Sequence, residues 1–186
     1  SLGIPVVALE PKTHADVQRV LGKVGQLLGV PDAQRVWRAT DAGVQAAAQS
    51  LSPQARGARV YFEVNPGPFG AGPGSFIGET LTRLGARNIL PDTLGPFPKL
   101  NPEYVVRADP DLIMVGARSA EGLTARPGWG QMRALRGQRL CVFTPEESDV
   151  LIRPGPRMAE AARLMAACLE RHAGGAAAKP TRGGTQ

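Results

Sequence analysis

The chain is poor in the residues on which metal and redox chemistry depend. Its 186 residues include two cysteines and two histidines. Cys141 and Cys168 are far apart in the sequence, as are His14 and His172, and none of them has the spacing of a zinc site. The thiols have two possible states, as buried free cysteines or as one disulfide. We therefore expect no metal site built from these residues.

Aromatic residues and basic clusters are also scarce. Aromatic side chains make up 5% of the chain, and its net charge of +6 comes from Lys and Arg residues scattered along the sequence. Proteins that bind nucleic acid concentrate positive charge on one face and interleave it with aromatics for base stacking. We therefore interpret the charge as solvated surface and expect no nucleic-acid partner.

Long hydrophobic runs are absent, so the sequence predicts no membrane-spanning helix. With 42% hydrophobic and 20% charged residues, the composition is that of an ordinary globular protein. There is no initiator methionine or signal peptide, and residues 4–9 already predict a strand. Because a strand needs neighbours with which to pair, we expect the chain to be part of a longer protein.

Strands alternate with helices along the sequence, which predicts an α/β fold with a mostly parallel sheet and helices on both faces. The helix over residues 32–51 is long and weakly apolar, which suits either a connecting strut or an ordinary surface helix. Residues 146–156 are predicted to form a loop. The predicted strands are 4–9, 59–64, 111–115 and 139–143, and the predicted helices are 14–28, 32–51, 75–84, 101–108, 131–135 and 157–172.

A glycine-rich loop at residues 65–74 follows one strand and opens a helix, as phosphate-binding loops do. However, the loop contains Pro66, Pro68 and Pro73, and proline removes the backbone N–H donors that a phosphate needs. The Gly-Lys-Ser/Thr sequence of a P-loop is absent as well. A nucleotide site is therefore disfavoured here.

Two proline-rich loops carry one aromatic residue each, Phe69 and Phe97. Either the two rings pack into their own domain, or they offer flat apolar faces to a large ligand. Asp149 and Arg153 follow the last predicted strand, where they either solvate a loop or bind polar groups of a ligand. Glu103, in the first turn of a helix, either complements the helix dipole or binds an arginine of a partner.

Three segments carry a family resemblance: VYFEVNPGPFGAGPGSFIGETLTRLGARNI, GPFPKLNPEYVVRADPDLIMV and ESDVLIRPGPR. In this order they resemble the periplasmic substrate-binding proteins of ABC importers, in the class whose two lobes are joined by one long helix. The likeness is strongest to the cobalamin-binding branch, and haem- and ferric-siderophore-binding relatives share the fold.

The resemblance implies a division of the chain. Residues 1–31 correspond to the end of the first lobe, residues 32–56 to the linking helix, and residues 57–172 to the second α/β lobe. Residues 173–186 are predicted to be a disordered tail, because they consist mostly of small residues.

The resemblance also implies roles for individual residues. Phe69 matches an aromatic of the Asn-Pro loop, and Phe97 matches the aromatic of a Pro-aromatic-Pro turn. Asp149 and Arg153 match a ligand-binding pair. Glu103 matches a glutamate that docks against arginines of the membrane permease.

Two features bear on the ligand. Val150 stands where the cobalamin branch often has an aromatic, which weakens the match to cobalamin itself. Tyr61, Tyr104 and the two histidines are not placed as axial ligands, which argues against haem.

The resemblance thus predicts a non-enzymatic, monomeric receptor in the periplasm, which holds no cofactor of its own. Its ligand is expected to be cobalamin or another corrinoid, with haem or a ferric siderophore as the alternative, and its partner an ABC permease. From another class, an α/β enzyme that uses the glycine-rich loop for a phosphorylated cofactor remains the rival interpretation.

Overall fold

The sheet is organised around one strand that pairs along both of its edges, in a computed structural model that describes residues 8–173. The strands are β1 (Arg59–Asn65), β2 (Phe69–Gly70), β3 (Arg87–Asn88), β4 (Leu112–Gly116) and β5 (Leu140–Phe143). On one side β1 is parallel to β4, and β4 is parallel to β5. The other edge of β1 is shared by two short strands, parallel β3 near its start and antiparallel β2 near its end.

Helices cover both faces of this sheet, so the predicted fold class is confirmed. Short 3-10 turns join several of them. Within the described residues the helices are α1 (His14–Leu27), α2 (Gln34–Gln49), α3 (Phe76–Arg83), α4 (Pro102–Ala108), α5 (Ala117–Ala120), α6 (Arg133–Arg136), α7 (Pro145–Ile152) and α8 (Met158–Arg171).

Side chains of β1 alternate between two hydrophobic cores. Val60 and Phe62 point to the first core, which α2, α3 and α8 cover. Tyr61 points to the second core, which is covered by α4 and by the segment that follows β4. This alternation follows from the two-residue period of a strand, and burial on both faces is what a parallel sheet requires.

The start of α1 is fixed to α3 through a buried histidine. Thr13 and Asp16 form a capping box at the start of α1. The Nε2 atom of His14 lies 3.1 Å from the carbonyl oxygen of Phe76 and 2.9 Å from the hydroxyl of Thr80. Burial lowers the pKa of His14, which keeps the ring neutral at physiological pH.

The prediction of a loop at residues 146–156 is wrong over its first half, where α7 begins at Pro145. The Thr144 hydroxyl accepts from the backbone N–H of Glu147, and the Glu147 carboxylate accepts from the N–H of Thr144. This capping box, with proline in the first turn, is a strong helix start. The dense charges that suggested a loop are instead the exposed face of a helix.

The long helix is shorter than predicted, since α2 has 16 residues. It packs along α8 for much of its length, so it contributes to the helical layer of the first core. The strand predicted for residues 4–9 lies mostly outside the described residues, and residues 8–10 are irregular. The tail beyond residue 173 also lies outside them. Among the described helices, none is both long and apolar enough to cross a membrane.

The two cysteines form a disulfide, Cys141–Cys168, which decides between the two states left open by the sequence. The bond joins β5 to α8, and both residues are buried in the first core.

Replacing both Cys141 and Cys168 by alanine is expected to lower the free energy of unfolding by about 3 kcal/mol, because the link spans a sequence separation of 27 residues and restricts the unfolded chain. Urea unfolding with and without dithiothreitol measures the effect. The reductant should destabilise the natural protein and leave the double variant unchanged. Equal sensitivity of the two proteins would contradict the prediction.

A candidate ligand-binding cleft at the strand ends

A cleft of about 430 Å³ opens at the carboxyl ends of the parallel strands. Ligands of open α/β proteins bind at this edge of the sheet. Its walls come from the end of β1, from the turn between β4 and α5, and from α7. The lining residues are Val64, Asn65, Pro66, Gly116, Ala117, Arg118, Ser119, Pro145, Glu146, Ser148, Asp149 and Ile152.

The cleft has one basic side chain among its lining residues, that of Arg118, and two acidic ones, Glu146 and Asp149. Arg118 is exposed, and no ion pair joins it to any residue that the structure describes. Ser119, next to it, is buried. The cleft therefore presents a guanidinium on one wall and carboxylates on the other, a polar lining suited to a ligand with several hydrogen-bonding groups.

Arg153 follows the last residue of α7 and lies one turn after Asp149, so the structure brings this predicted pair together, although only Asp149 is among the residues that line the cleft. The closest oxygen and nitrogen atoms are 3.4 Å apart, and the Arg153 side chain is 74% exposed. An exposed pair of this kind contributes little to stability. The guanidinium is thus free to exchange Asp149 for another acceptor at low cost.

The two aromatic loops form one ribbon. The N–H of Gly70 donates to the carbonyl of Pro98 at 3.0 Å, and that of Gly72 donates to the carbonyl of Pro96 at 2.8 Å. Phe69 and Phe97 are both half-buried on this ribbon. Phe97 also packs edge-on against Phe76, with ring centroids 5.9 Å apart, at the margin of the first core.

Neither phenylalanine is among the residues that line the cleft. The ribbon follows the cleft residues Asn65 and Pro66 in the sequence. Both rings keep some exposure, and both also make packing contacts, so their role toward a ligand stays a prediction.

Glu103 is exposed in the first turn of α4, where Asn101 caps the helix. Among the described residues, its side chain has no hydrogen bond or ion pair. It lies away from the cleft lining, and its docking role stays a prediction as well. No group of three or more His, Cys, Asp or Glu side chains within residues 8–173 could hold a metal ion.

Sequence reasoning missed a buried ion pair beneath the cleft. The Arg126 guanidinium donates to both carboxylate oxygens of Glu63, at 2.6 and 2.8 Å. The Tyr61 hydroxyl donates to the same carboxylate at 3.1 Å, and burial raises the pKa of this phenol far above its usual value. An acidic residue inside the apolar strand RVYFEVN was the available signal, because a buried carboxylate needs a partner.

Trp129 completes this cluster. Its ring is fully buried, lies edge-on to Tyr61, and carries the Arg126 guanidinium 4.4 Å above its centre. The hydrogen bonds with Glu63 raise the pKa of Arg126, so the cation is permanent.

The sequence of residues 1–147 matches the periplasmic binding protein family. The chain belongs to this family. It is 33% identical over 130 residues to a cobalamin-binding protein of Halobacterium salinarum, a match that covers 67% of this chain and 35% of that protein. It is 30% identical over 108 residues to a vitamin B12-binding protein of Salmonella paratyphi A, a match that covers 58% of this chain and 38% of that protein. The chain thus spans about a third of the length of these curated relatives.

Several solved structures share the fold. A possible iron-binding, periplasmic solute-binding protein of Staphylococcus epidermidis superposes with a TM-score of 0.76 at 21% identity, over 90% of this chain and 67% of that one. A periplasmic haem-binding protein of Roseiflexus superposes with a TM-score of 0.71 at 24% identity, over 88% of this chain and 65% of that one. The periplasmic vitamin B12-binding protein of Vibrio cholerae superposes with a TM-score of 0.68 at 20% identity, over 92% of this chain and 67% of that one.

Gly72→Ala is expected to lower the free energy of unfolding by about 1–3 kcal/mol, because a methyl group there would overlap the carbonyl of Gly95 and force the ribbon apart. Gly74→Ala is the matched control, since no atom lies within 4 Å of the position of its added methyl group. Urea unfolding compares the two variants. Equal stability of both would show that the loops are not closely packed.

Proposed function

We propose that this chain is part of a receptor that captures a metal-chelate cofactor for an ABC importer, with cobalamin or another corrinoid as its ligand. The observation that carries the proposal is the cleft at the ends of three parallel strands, in a chain whose family consists of periplasmic binding proteins. The names of its curated relatives favour cobalamin over the alternatives, haem and ferric siderophores.

In this proposal, residues 57–172 are the second of two lobes, and residues 32–56 link them. The share of its solved relatives that the chain covers supports this division. So do Leu27 and Leu28 at the end of α1, which are 73% exposed each and leave apolar surface for a further domain to cover.

The ligand would be held between unlike walls. Phe69 and Phe97 would contact its apolar face, while Asp149 and Arg153 would bind its polar edge. We propose capture rather than chemistry, because the serines and carboxylates that line the cleft include no histidine-activated nucleophile among the described residues. We place the receptor in the periplasm, as a monomer, with no cofactor of its own.

Isothermal titration calorimetry of the full-length protein tests the ligand class. We expect saturable binding of cyanocobalamin, and weaker or no binding of hemin, a ferric siderophore, ATP and NAD. Arg153→Ala should weaken cyanocobalamin binding about tenfold, the effect of losing one charge-assisted hydrogen bond at an exposed site.

Arg38→Ala is the control for Arg153→Ala, because Arg38 is similarly exposed and pairs with Asp32 outside the cleft. It should leave binding unchanged. Binding of a nucleotide, with none of any metal chelate, would contradict the proposal and favour an α/β enzyme. Preferential binding of hemin or a ferric siderophore would keep the receptor but change its ligand.

Glu103→Ala is expected to spare ligand binding and to impair uptake, because Glu103 would pair with arginines of the permease rather than with the ligand. Uptake of radiolabelled cyanocobalamin by cells that carry the variant measures this. Glu10→Ala, also exposed, is the control. Normal uptake by the Glu103 variant would exclude the docking role.

A further inference from the structure

The Glu63–Arg126 ion pair is unusual because it occupies a position in the core that apolar side chains could fill. The Glu63 side chain is fully buried and that of Arg126 is 19% exposed. Glu63 is the only acidic residue among the buried side chains of the described part of the chain. Two apolar residues of similar volume would make a core at least as stable, since a buried ion pair is costly to desolvate. Stability alone therefore does not account for these two residues.

The position of the pair is informative. Glu63 precedes the cleft residue Asn65 by two positions on β1, at the point where the pairing of β1 with β2 becomes irregular. Arg126 lies on the segment of residues 117–132, whose first residues include Arg118 and Ser119 in the cleft wall. The pair thus connects one wall of the cleft to the strand that forms the other.

The segment of residues 117–132 has little regular structure with which to hold its shape. It consists of the four-residue helix α5 and two 3-10 turns. Leu123, Trp129 and Met132 anchor it by apolar packing, which has no directional preference. The two parallel hydrogen bonds between Arg126 and Glu63 do have one, because the planar guanidinium matches the carboxylate in a single arrangement.

We infer that Glu63 and Arg126 are positioning residues for ligand capture: they fix the segment of residues 117–132 so that Arg118 and Ser119 face the cleft. Neither residue touches the ligand. The inference rests on the proposed receptor function, and it adds Arg118 and Ser119 to the polar wall that would bind the periphery of the chelate. Tyr61 and Trp129 support the pair by donating to Glu63 and by stacking on Arg126, respectively.

The test uses the full-length protein with Glu63→Gln and with the double change Glu63→Gln and Arg126→Met. Two quantities are measured, namely hydrogen exchange of the backbone and the rate at which cyanocobalamin dissociates. Glu63→Gln should speed exchange in residues 117–132 and leave exchange in α8 unchanged. It should also raise the dissociation rate about tenfold, which is the effect of losing one charge-assisted hydrogen bond, here the one from Arg118 to the ligand.

The double variant separates positioning from stability. It removes the unpaired buried cation, so its thermal stability should recover toward that of the natural protein. Its dissociation rate should stay high, because the directional contact is still absent. Asp41→Asn is the control: it breaks the 2.7 Å pair with Arg83, between α2 and α3, and should lower stability without changing dissociation.

Two results would overturn the inference. One is unchanged exchange in residues 117–132 of the Glu63 variant. The other is a dissociation rate that follows thermal stability across all three variants. If the natural protein binds no metal chelate, the proposed function fails, while the exchange measurement still decides whether the ion pair fixes this wall.

Discussion

The parallel pairing of β1 with β4, and of β4 with β5, is the constraint on which the rest of the structure depends. Parallel strands must be joined by crossovers, and these place helices on both faces of the sheet. All three strands also end at the same edge. At this edge each strand is followed by an irregular turn or by the start of a helix. The cleft is the space between these three connections. Fold and site are thus one consequence of the same pairing.

The walls of the cleft differ in how they are held. α7 is a capped helix, and the ribbon that carries Phe69 and Phe97 is held by backbone hydrogen bonds and by glycines that permit close approach. The segment after β4 has backbone hydrogen bonds within its own short turns, and its contacts with β1 include the side-chain hydrogen bonds between Arg126 and Glu63. The buried Glu63–Arg126 pair is therefore consistent with a requirement that residues 117–132 hold one position, rather than with a requirement for extra stability.

Local signals in the sequence predicted most of the elements. The apolar runs of β1 and β4, and the Asn101 cap of α4, were sufficient because strand period and helix capping act over a few residues. The same logic, applied to Thr144 and Glu147, would have predicted α7. The cleft residues Arg118 and Ser119 were beyond reach, because their placement depends on parallel register between strands about 50 residues apart.

The disulfide has a consequence for α7. Cys141 and Cys168 lie on either side of this helix in the sequence, so Asp149 and Arg153 belong to a covalently closed ring. Even when the domain unfolds locally, the disulfide keeps α7 within a closed loop that begins in β5. Oxidation in a secretory compartment would thus close this ring, which a reducing cytosol would leave open.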